Sequence, residues 1–231
     1  MSESILEGNL EEKLKHLEAF SSCDVADALL KMDNPYGGFL PDIVMFSPEY
    51  LAGNSKLIGP VFTVKCVPVS DVTSPKPSQH FADATPANSV VFVSAPPNTI
   101  NAVWGGLMNT RAKMRGAKGV VVDGRVRDLE ELRADGLPIF AKAISVLSAK
   151  AFTRPTSFNE PVILNGNYDP QIRINPGDII IADLNGVVCI PQQDLDRVLE
   201  LCDKYVAMDQ KVKEELLKGT TIEQSFALHR K

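Results

Sequence analysis

Apolar positions at helical spacing open the chain. Four of them recur three or four residues apart near the start: Leu10, Leu14, Leu17 and Phe20. This spacing predicts a helix from about residue 9. Ser21 and Asp24 form a possible capping box for a second helical segment over 25–31. Asp24 and Asp27 share one face of that segment, where they either cap and solvate the helix or line a site.

Prolines change the pattern in the next part of the chain. Ten of the 16 prolines fall between residues 34 and 97. This density argues against long helices and favours strands and loops. Alternating apolar residues predict strands within 56–69, and a short apolar run predicts a buried strand at 89–93. The polar stretch 70–87 is expected to be a loop or a mobile flap, in which His80 is solvated.

After residue 97, helical and strand-like patterns alternate. Helices are predicted at 104–115, 128–135 and 194–218, with Gly116, Gly136 and Gly219 as their stop signals. Strands are predicted at 119–123, 138–141, 160–164, 179–181 and 187–190, the last two joined by a turn at 183–186. No internal repeat or low-complexity linker is present. We therefore expect one α/β domain over residues 1–231, with N-terminal helices at 9–31, a core at about 34–192 and C-terminal helices at 194–229.

Composition excludes several classes of protein. The chain has 231 residues, of which 44% are hydrophobic, and a net charge of −5 without a Lys/Arg cluster, which argues against nucleic-acid binding. No apolar run approaches the length of a membrane span, and residues 1–15 lack the features of a signal peptide, so a cytoplasmic protein is expected. Four scattered cysteines and three histidines do not have the spacing of a zinc site.

Two short motifs contain the candidate chemistry. Gly105 and Gly106 precede an apolar helix, so backbone amides are expected at a positive helix end that suits a carboxylate or phosphate. About twenty residues later, an apolar strand ends in Arg127 and Asp128. Arginine binds a carboxylate through two hydrogen bonds, and aspartate is an oxygen ligand for Mg²⁺. Together the motifs predict a site for a small oxo-acid held by a metal.

Asp128 also has a purely structural interpretation. With Glu131 three residues later, it has the pattern of an N-cap for the predicted helix 128–135, and Arg127 would then be an ordinary surface arginine. The two interpretations are compatible, because an aspartate at a strand-to-helix turn is also positioned to hold a metal.

These motifs resemble those of the RraA-like proteins and the metal-dependent 4-hydroxy-4-methyl-2-oxoglutarate aldolases. The matching segments are 105–110, 123–128 and 138–141, with weaker similarity at 23–28, 59–64 and 176–187. The resemblance spans roughly residues 20–195. It implies a single layered domain of the swivelling β/β/α type, assembled as a homotrimer or a hexamer.

The resemblance also implies a function and a set of site residues. The function is that of a lyase on short 2-oxo diacids, which forms a metal-stabilised pyruvate enolate by decarboxylating oxaloacetate, by cleaving 4-hydroxy-4-methyl-2-oxoglutarate, or both. Asp128 becomes the ligand of Mg²⁺ or Mn²⁺, while Arg127 and the helix start at 105–108, with the amides of Leu107 and Met108, bind the substrate. The alternative is a non-catalytic regulator that docks onto an RNA-degrading enzyme. The lysines near the motifs are expected on the solvated surface: Lys113, Lys118 and Lys142.

One position departs from the family pattern. Aldolases of the family usually carry an acidic residue where this chain has Gly106, and that carboxylate is thought to organise the acid/base water of aldol cleavage. Aldol cleavage requires a base, whereas decarboxylation requires only stabilisation of the enolate. Gly106 therefore favours decarboxylation, unless another carboxylate compensates: Asp83, Asp123 or a residue of a neighbouring subunit.

Overall fold

The computed structural model describes residues 3–230. Within this range the chain forms seven helices: α1 (Glu3–Leu17), α2 (Ser22–Leu30), α3 (Phe81–Ala84), α4 (Gly106–Met114), α5 (Leu129–Asp135), α6 (Leu195–Leu217) and α7 (Ile222–His229). None of the described helices is long and apolar enough to cross a membrane.

Eleven strands are interspersed with these helices in the described range: β1 (Val44–Ser47), β2 (Leu57–Pro68), β3 (Val90–Ser94), β4 (Ala102–Trp104), β5 (Gly119–Val126), β6 (Ile139–Ile144), β7 (Thr153–Phe158), β8 (Val162–Ile163), β9 (Arg173–Ile174), β10 (Ile179–Asp183) and β11 (Gly186–Ile190). Nine of them form one sheet with the order β1-β6-β5-β3-β2-β10-β11, to which β4 is added beside β5 and β7 beside β2. β8 and β9 form a separate two-stranded ribbon.

Four neighbouring strands at the centre of the sheet are parallel: β2, β3, β5 and β6. Their apolar residues, such as Val91, Val121 and Phe140, are fully buried, as expected for parallel strands covered on both faces. Because the carboxyl ends of parallel strands meet at one edge, the residues that follow β5 lie at the edge where α/β proteins commonly bind ligands.

Three apolar clusters organise the layers. One packs α3, α4 and α5 against one face of the parallel strands, and a second fills the space between the other face and the antiparallel strands β10 and β11. The third lies beneath α1, α2 and α6, which cover the β10–β11 hairpin. The α/β fold class predicted from the sequence is confirmed, with a nearly closed sheet and helices at both ends of the chain.

Local capping signals in the N-terminal region are correct. Ser21 is the N-cap of α2, its hydroxyl accepts from the Asp24 amide, and the Asp24 carboxylate accepts from the Ser21 amide at 2.7 Å. Asp27 is exposed on the same helix. The capping interpretation of Asp24 is therefore confirmed.

Several boundaries differ from the predictions. Trp104 ends β4 and does not begin a helix, and β5 continues three residues past Asp123 to Val126. The strands β1, β7 and β9 were not predicted. Pairing accounts for these differences, because β4 and the end of β5 pair with each other, β1 and β7 pair with distant strands of the sheet, and β9 pairs with β8 in the separate ribbon.

The segment 70–87 is a loop, as predicted, with one short helix, α3, in it. Arg154 on β7 donates hydrogen bonds to the carbonyls of Asp71, Ser74 and Pro75. The hydroxyl of Thr156 donates to Pro75 as well. The loop is therefore fastened to the sheet along its first half.

Candidate active site

Five of the six predicted site residues line one cavity of about 230 Å³: Gly105, Leu107, Met108, Arg127 and Asp128. The cavity lies between the start of α4, the turn after β5 and the start of β7. The sixth predicted residue, Gly106, is buried and does not line it. The fold thus brings together the two motifs that lie about twenty residues apart in the sequence.

Asp128 is held towards α4. Its backbone is left-handed, with φ 61°, and it occupies the N-cap position of α5 without making a side-chain cap hydrogen bond. Instead, its Oδ2 accepts from the Gly106 amide at 3.0 Å. The predicted capping role is therefore wrong for the side chain, because the left-handed backbone turns the carboxylate away from its own helix.

Arg127 lies next to this carboxylate with its guanidinium partly exposed. The distance from its Nε to Oδ2 of Asp128 is 3.5 Å, and 38% of the side chain is accessible. The Arg127 amide donates to the Trp104 carbonyl, which holds the turn against β4. Within residues 3–230 its terminal nitrogens have no hydrogen-bond partner, so they are available to bind an anion.

The start of α4 is shaped by glycine. A Cβ at Gly105 would lie 2.7 Å from Oδ2 of Asp128, so a side chain there would displace the carboxylate. The Gly106 amide already donates to Asp128. The amides of Leu107 and Met108 have no partner in the part of the chain that the structure describes, as is usual for the first turn of a helix. They remain the predicted anion-binding amides.

Glu131 lies beside the site, although the sequence indicated only a helix-capping role for it. A Cβ at Gly106 would overlap the Glu131 carboxylate, so this carboxylate occupies the space in which an acidic side chain at position 106 would begin. Two other acidic residues of this chain could replace the carboxylate that position 106 lacks, but both are in ion pairs. Asp83 pairs with Arg111 at 2.6 Å, and Asp123 pairs with Lys142 at 2.6 Å.

Two hydrogen bonds hold the helices that carry the site. Asn109 of α4 is fully buried, and its Nδ2 donates to Asp135 at the end of α5 at 2.8 Å. Lys113 donates to the Asp135 carbonyl from the next turn of α4. These bonds keep α5, and with it Glu131, next to the start of α4.

The lysines near the motifs are not uniformly solvated. Lys142 is only 21% exposed and bonds both Asp123 and the Asn165 carbonyl, so its predicted place on the solvated surface is wrong. The fold accounts for this, because β6 places Lys142 beside the buried Asp123 of β5. Lys118 is exposed, as predicted.

The donor set suits a hard divalent cation. Oδ2 of Asp128 accepts from the Gly106 amide, the Glu131 carboxylate lies on the side of Gly106 where a Cβ would be, and Oδ1 of Asp128 has no partner within residues 3–230. The described residues contain no group of three or more side chains of the metal-ligating kind. One or two carboxylates, with water and substrate oxygens completing the shell, match Mg²⁺ or Mn²⁺ and differ from a closed zinc site.

The remaining polar groups of the cavity are Cys66, His80, Thr153 and Arg154. Burial raises the pKa of the Cys66 thiol to about 12, so it stays protonated. His80 is an exposed loop residue, as predicted, and it is also the N-cap of α3 and lines the cavity. Its ring stacks on Phe81, with 4.4 Å between ring centroids.

Comparisons with known proteins agree with this geometry. The family model described as "RraA-like: Aldolase/RraA" matches residues 22–189. "Protein DlpA" of Legionella pneumophila is 32% identical over 216 residues, which are 92% of this chain and 33% of DlpA. The chain therefore spans about a third of the length of that relative.

A second relative is of similar size to this chain. The "Putative 4-hydroxy-4-methyl-2-oxoglutarate aldolase" of Albidiferax ferrireducens is 31% identical over 180 residues, covering 74% of this chain and 94% of that protein. The crystal structure of an uncharacterized protein from Pseudomonas syringae superposes with a TM-score of 0.77 at 27% identity, covering 93% and 96% of the two chains. The chain belongs to the RraA-like family.

Proposed function

We propose that this protein is a divalent-metal-dependent carbon–carbon lyase acting on short 2-oxo diacids. Its substrate is oxaloacetate, 4-hydroxy-4-methyl-2-oxoglutarate or both. The observation that carries the proposal is the Asp128 carboxylate, which lies at the amino end of α4 beside Arg127 and lines a cavity with it. The aldolase name of the Albidiferax ferrireducens relative supports the same reaction class.

Different residues of the site bind different groups of the 2-oxo acid. Arg127 supplies the two-pronged donor for the carboxylate next to the keto group, and the free amides of Leu107 and Met108 supply further donors at the positive helix end. Asp128 would provide the carboxylate ligand for Mg²⁺ or Mn²⁺. When bound, the cation supplies the Lewis acidity that stabilises negative charge on the keto oxygen.

Cleavage of the C3–C4 bond leaves its electron pair on the carbon next to the keto group, as an enolate, whose charge Arg127 and the helix amides also stabilise. Each such preorganised donor is worth on the order of 3 kcal/mol of barrier. Decarboxylation requires nothing more than this stabilisation and a proton for the new methyl group. Aldol cleavage also requires removal of the hydroxyl proton.

Glu131 changes the expectation that Gly106 alone created. Its carboxylate lies next to Gly106, where the acidic side chain of the family's aldolases would begin, and this position supports a role for Glu131 as the acid/base group of aldol cleavage. We therefore propose that Glu131 holds or moves the proton of the substrate hydroxyl. On this basis both decarboxylation and aldol cleavage are expected.

We also propose a homotrimer or hexamer. Several large apolar side chains are exposed around the loops that border β4 and β6: Ile100, Ile144, Val146 and Leu147. Val146 is 92% exposed, which is costly in water and is typical of a surface that another protein covers. Light scattering coupled to gel filtration tests this, and a monomer at micromolar concentration would contradict it.

The test of the function is pyruvate release from oxaloacetate and from 4-hydroxy-4-methyl-2-oxoglutarate, with Mg²⁺ and with a chelator. Oxaloacetate decarboxylates slowly by itself and faster with free metal, so a protein-free Mg²⁺ sample and the Asp128→Ala variant are the controls. Chelator-sensitive release above both controls is expected. Release no faster than the controls, from folded protein, would favour the non-catalytic regulator instead.

A further inference from the structure

The cavity is also lined by polar residues that the proposed chemistry does not use. The start of β7 contributes Thr153 and Arg154, and the loop before α3 contributes His80. We define His80, Thr153 and Arg154 as the distal cluster.

Arg154 supplies positive charge but no free donor. Its Nε donates to the Asp71 carbonyl, Nη2 to the carbonyls of Asp71 and Ser74, and Nη1 to those of Pro75 and Pro155. These five bonds use every N–H of the guanidinium. No carboxylate within residues 3–230 lies within ion-pair distance of it. Its charge is therefore uncompensated beside the cavity and favours an anion there.

His80 supplies the free donor. Its Nδ1 accepts from the Ala82 amide at 3.2 Å, which is the N-cap contact of α3. In the neutral ring the proton must then reside on Nε2, because a nitrogen that accepts a hydrogen bond cannot carry it. Nε2 has no partner in the described part of the chain, so its N–H is available to a ligand.

Thr153 adds a second donor. Its Oγ1 accepts from the Asn101 amide at 2.9 Å, which leaves its hydroxyl hydrogen for another acceptor. Thr153 is only 6% exposed, so an acceptor that reaches this hydroxyl is largely shielded from water. The positive charge of Arg154, together with the free donors of His80 and Thr153, suits a carboxylate.

We infer that the distal cluster binds the second carboxylate of the substrate and makes the site selective for 2-oxo diacids over 2-oxo monoacids. His80 and Thr153 donate the hydrogen bonds, and Arg154 contributes the charge while it anchors the loop at 71–75. This inference rests on the proposed function, because it requires the 2-oxo acid end of the ligand to occupy the Arg127–Asp128 side.

Two ligands of equal length isolate the second carboxylate. 2-Oxoglutarate and 2-oxovalerate both have five carbons and the same 2-oxo acid end, and only the first has a carboxylate at the other end. Neither can undergo the proposed cleavage, so their dissociation constants can be measured at equilibrium by titration calorimetry with Mg²⁺. Hydrogen bonds to a charged group predict that the wild type binds the diacid at least about tenfold tighter.

Two substitutions at His80 separate donation from capping. Asparagine is a good N-cap residue, so His80→Asn keeps the Ala82 contact and removes the donor at the Nε2 position. It is expected to abolish most of the diacid preference and leave 2-oxovalerate binding unchanged. His80→Gln, whose amide reaches further, is expected to retain part of the preference. His16→Asn is the matched control, because His16 is an exposed residue of α1 that contacts Asp203.

The outcomes distinguish this inference from the proposed function. If His80→Asn leaves the diacid preference intact, or weakens both acids equally, the distal cluster does not read the second carboxylate. If both acids bind the wild type equally and Arg127→Ala abolishes that binding, the proposed function stands and this inference fails. If neither acid binds the wild type, the proposed function is wrong and this inference falls with it.

Discussion

Two aspartates five residues apart on one segment have opposite environments. Asp123 lies inside β5 with a fully buried carboxylate, which contacts Lys142 at 2.6 Å and accepts from the backbone and side chain of Asn165. Asp128 follows β5, is 33% exposed, and has one oxygen on the Gly106 amide while the other is free. Both oxygens of Asp123 contact protein groups, Oδ1 the Lys142 ammonium and Oδ2 the Asn165 nitrogens, whereas Asp128 keeps one oxygen without a partner in the described residues.

The arginines of the same segment show the same contrast. Arg125 donates to the carbonyls of Thr99 and Ile144, so its guanidinium joins a loop to the end of β6. Among the described residues, the guanidinium of Arg127, two residues later, contacts only Asp128. Residue type therefore does not identify the functional half of the motif. The functional half is identified by the number of side-chain donors and acceptors that have no partner within the protein.

The largest expected effect is on activity at Asp128. Asp128→Ala removes the proposed cation ligand, and turnover with Mg²⁺ is expected to fall on the order of a thousandfold. The free energy of unfolding should change little, because the side chain is exposed and makes a single amide contact. Pyruvate release and urea unfolding measure the two quantities. Asp27→Ala, at an exposed aspartate of α2, is the control, and undiminished turnover in Asp128→Ala would contradict the metal site.

The reverse pattern is expected at Asp123. Burial raises the pKa of this carboxyl, while Lys142 and Asn165 oppose the rise and hold it in an ion pair. Asp123→Ala leaves the largely buried Lys142 ammonium without its partner, which costs about 3 kcal/mol of unfolding free energy. Urea unfolding checks this. Replacing both members, as in Asp123→Leu with Lys142→Met, should recover much of the loss. A single variant as stable as the wild type would mean that the pair contributes nothing.

Arg127 and Arg125 offer a comparison of smaller size. Lysine places one point charge where arginine has a planar fork, so Arg127→Lys is expected to reduce kcat/KM roughly thirtyfold, about 2 kcal/mol. Arg125→Lys carries the same chemical change at a structural arginine and should reduce stability more than turnover. Steady-state kinetics and thermal melting of the two variants decide the matter. An equal reduction of kcat/KM in both variants would mean that Arg127 is no more important for turnover than Arg125.

The sequence could predict those elements of the fold that depend on residues close together in the chain. The capping box of Ser21 and Asp24 depends on a spacing of three residues, and it is present as predicted. The strand β7 depends on a distant partner and contains Pro155, which reads as a strand breaker. It is tolerated because β7 pairs only with β2, in a ladder whose register shifts beside that proline.

The site was predictable to the same extent. Arg127, Asp128 and the helix start could be named from their motifs, and the structure places them around one cavity. Glu131 and His80 could not be assigned from spacing. Glu131 reaches Gly106 only because α5 packs against α4, and His80 reaches the cavity through the loop that Arg154 fastens. Both depend on contacts between segments 25 or more residues apart.

The smallest effect tests whether Glu131 replaces the acidic residue that position 106 lacks. Glu131→Gln removes the carboxylate and keeps the size of the side chain, so aldol cleavage is expected to fall about tenfold more than decarboxylation. Gly106→Asp alone would bring two carboxylates together, because its Cβ overlaps the Glu131 carboxylate. The double variant Gly106→Asp with Glu131→Gln moves a single carboxylate from one position to the other.

If the location of that charge matters more than the residue that carries it, the double variant should regain several-fold of the aldol-to-decarboxylation ratio lost in Glu131→Gln. Glu130→Gln is the matched control, because Glu130 lies on the same helix turn and is exposed. In a double-mutant cycle on that ratio, the effect of the double variant is then expected to be smaller than the sum of the effects of the two single variants. Additive changes would mean that Glu131 only fills the space beside Gly106, and that the proton of the substrate hydroxyl is removed by a group outside this pair.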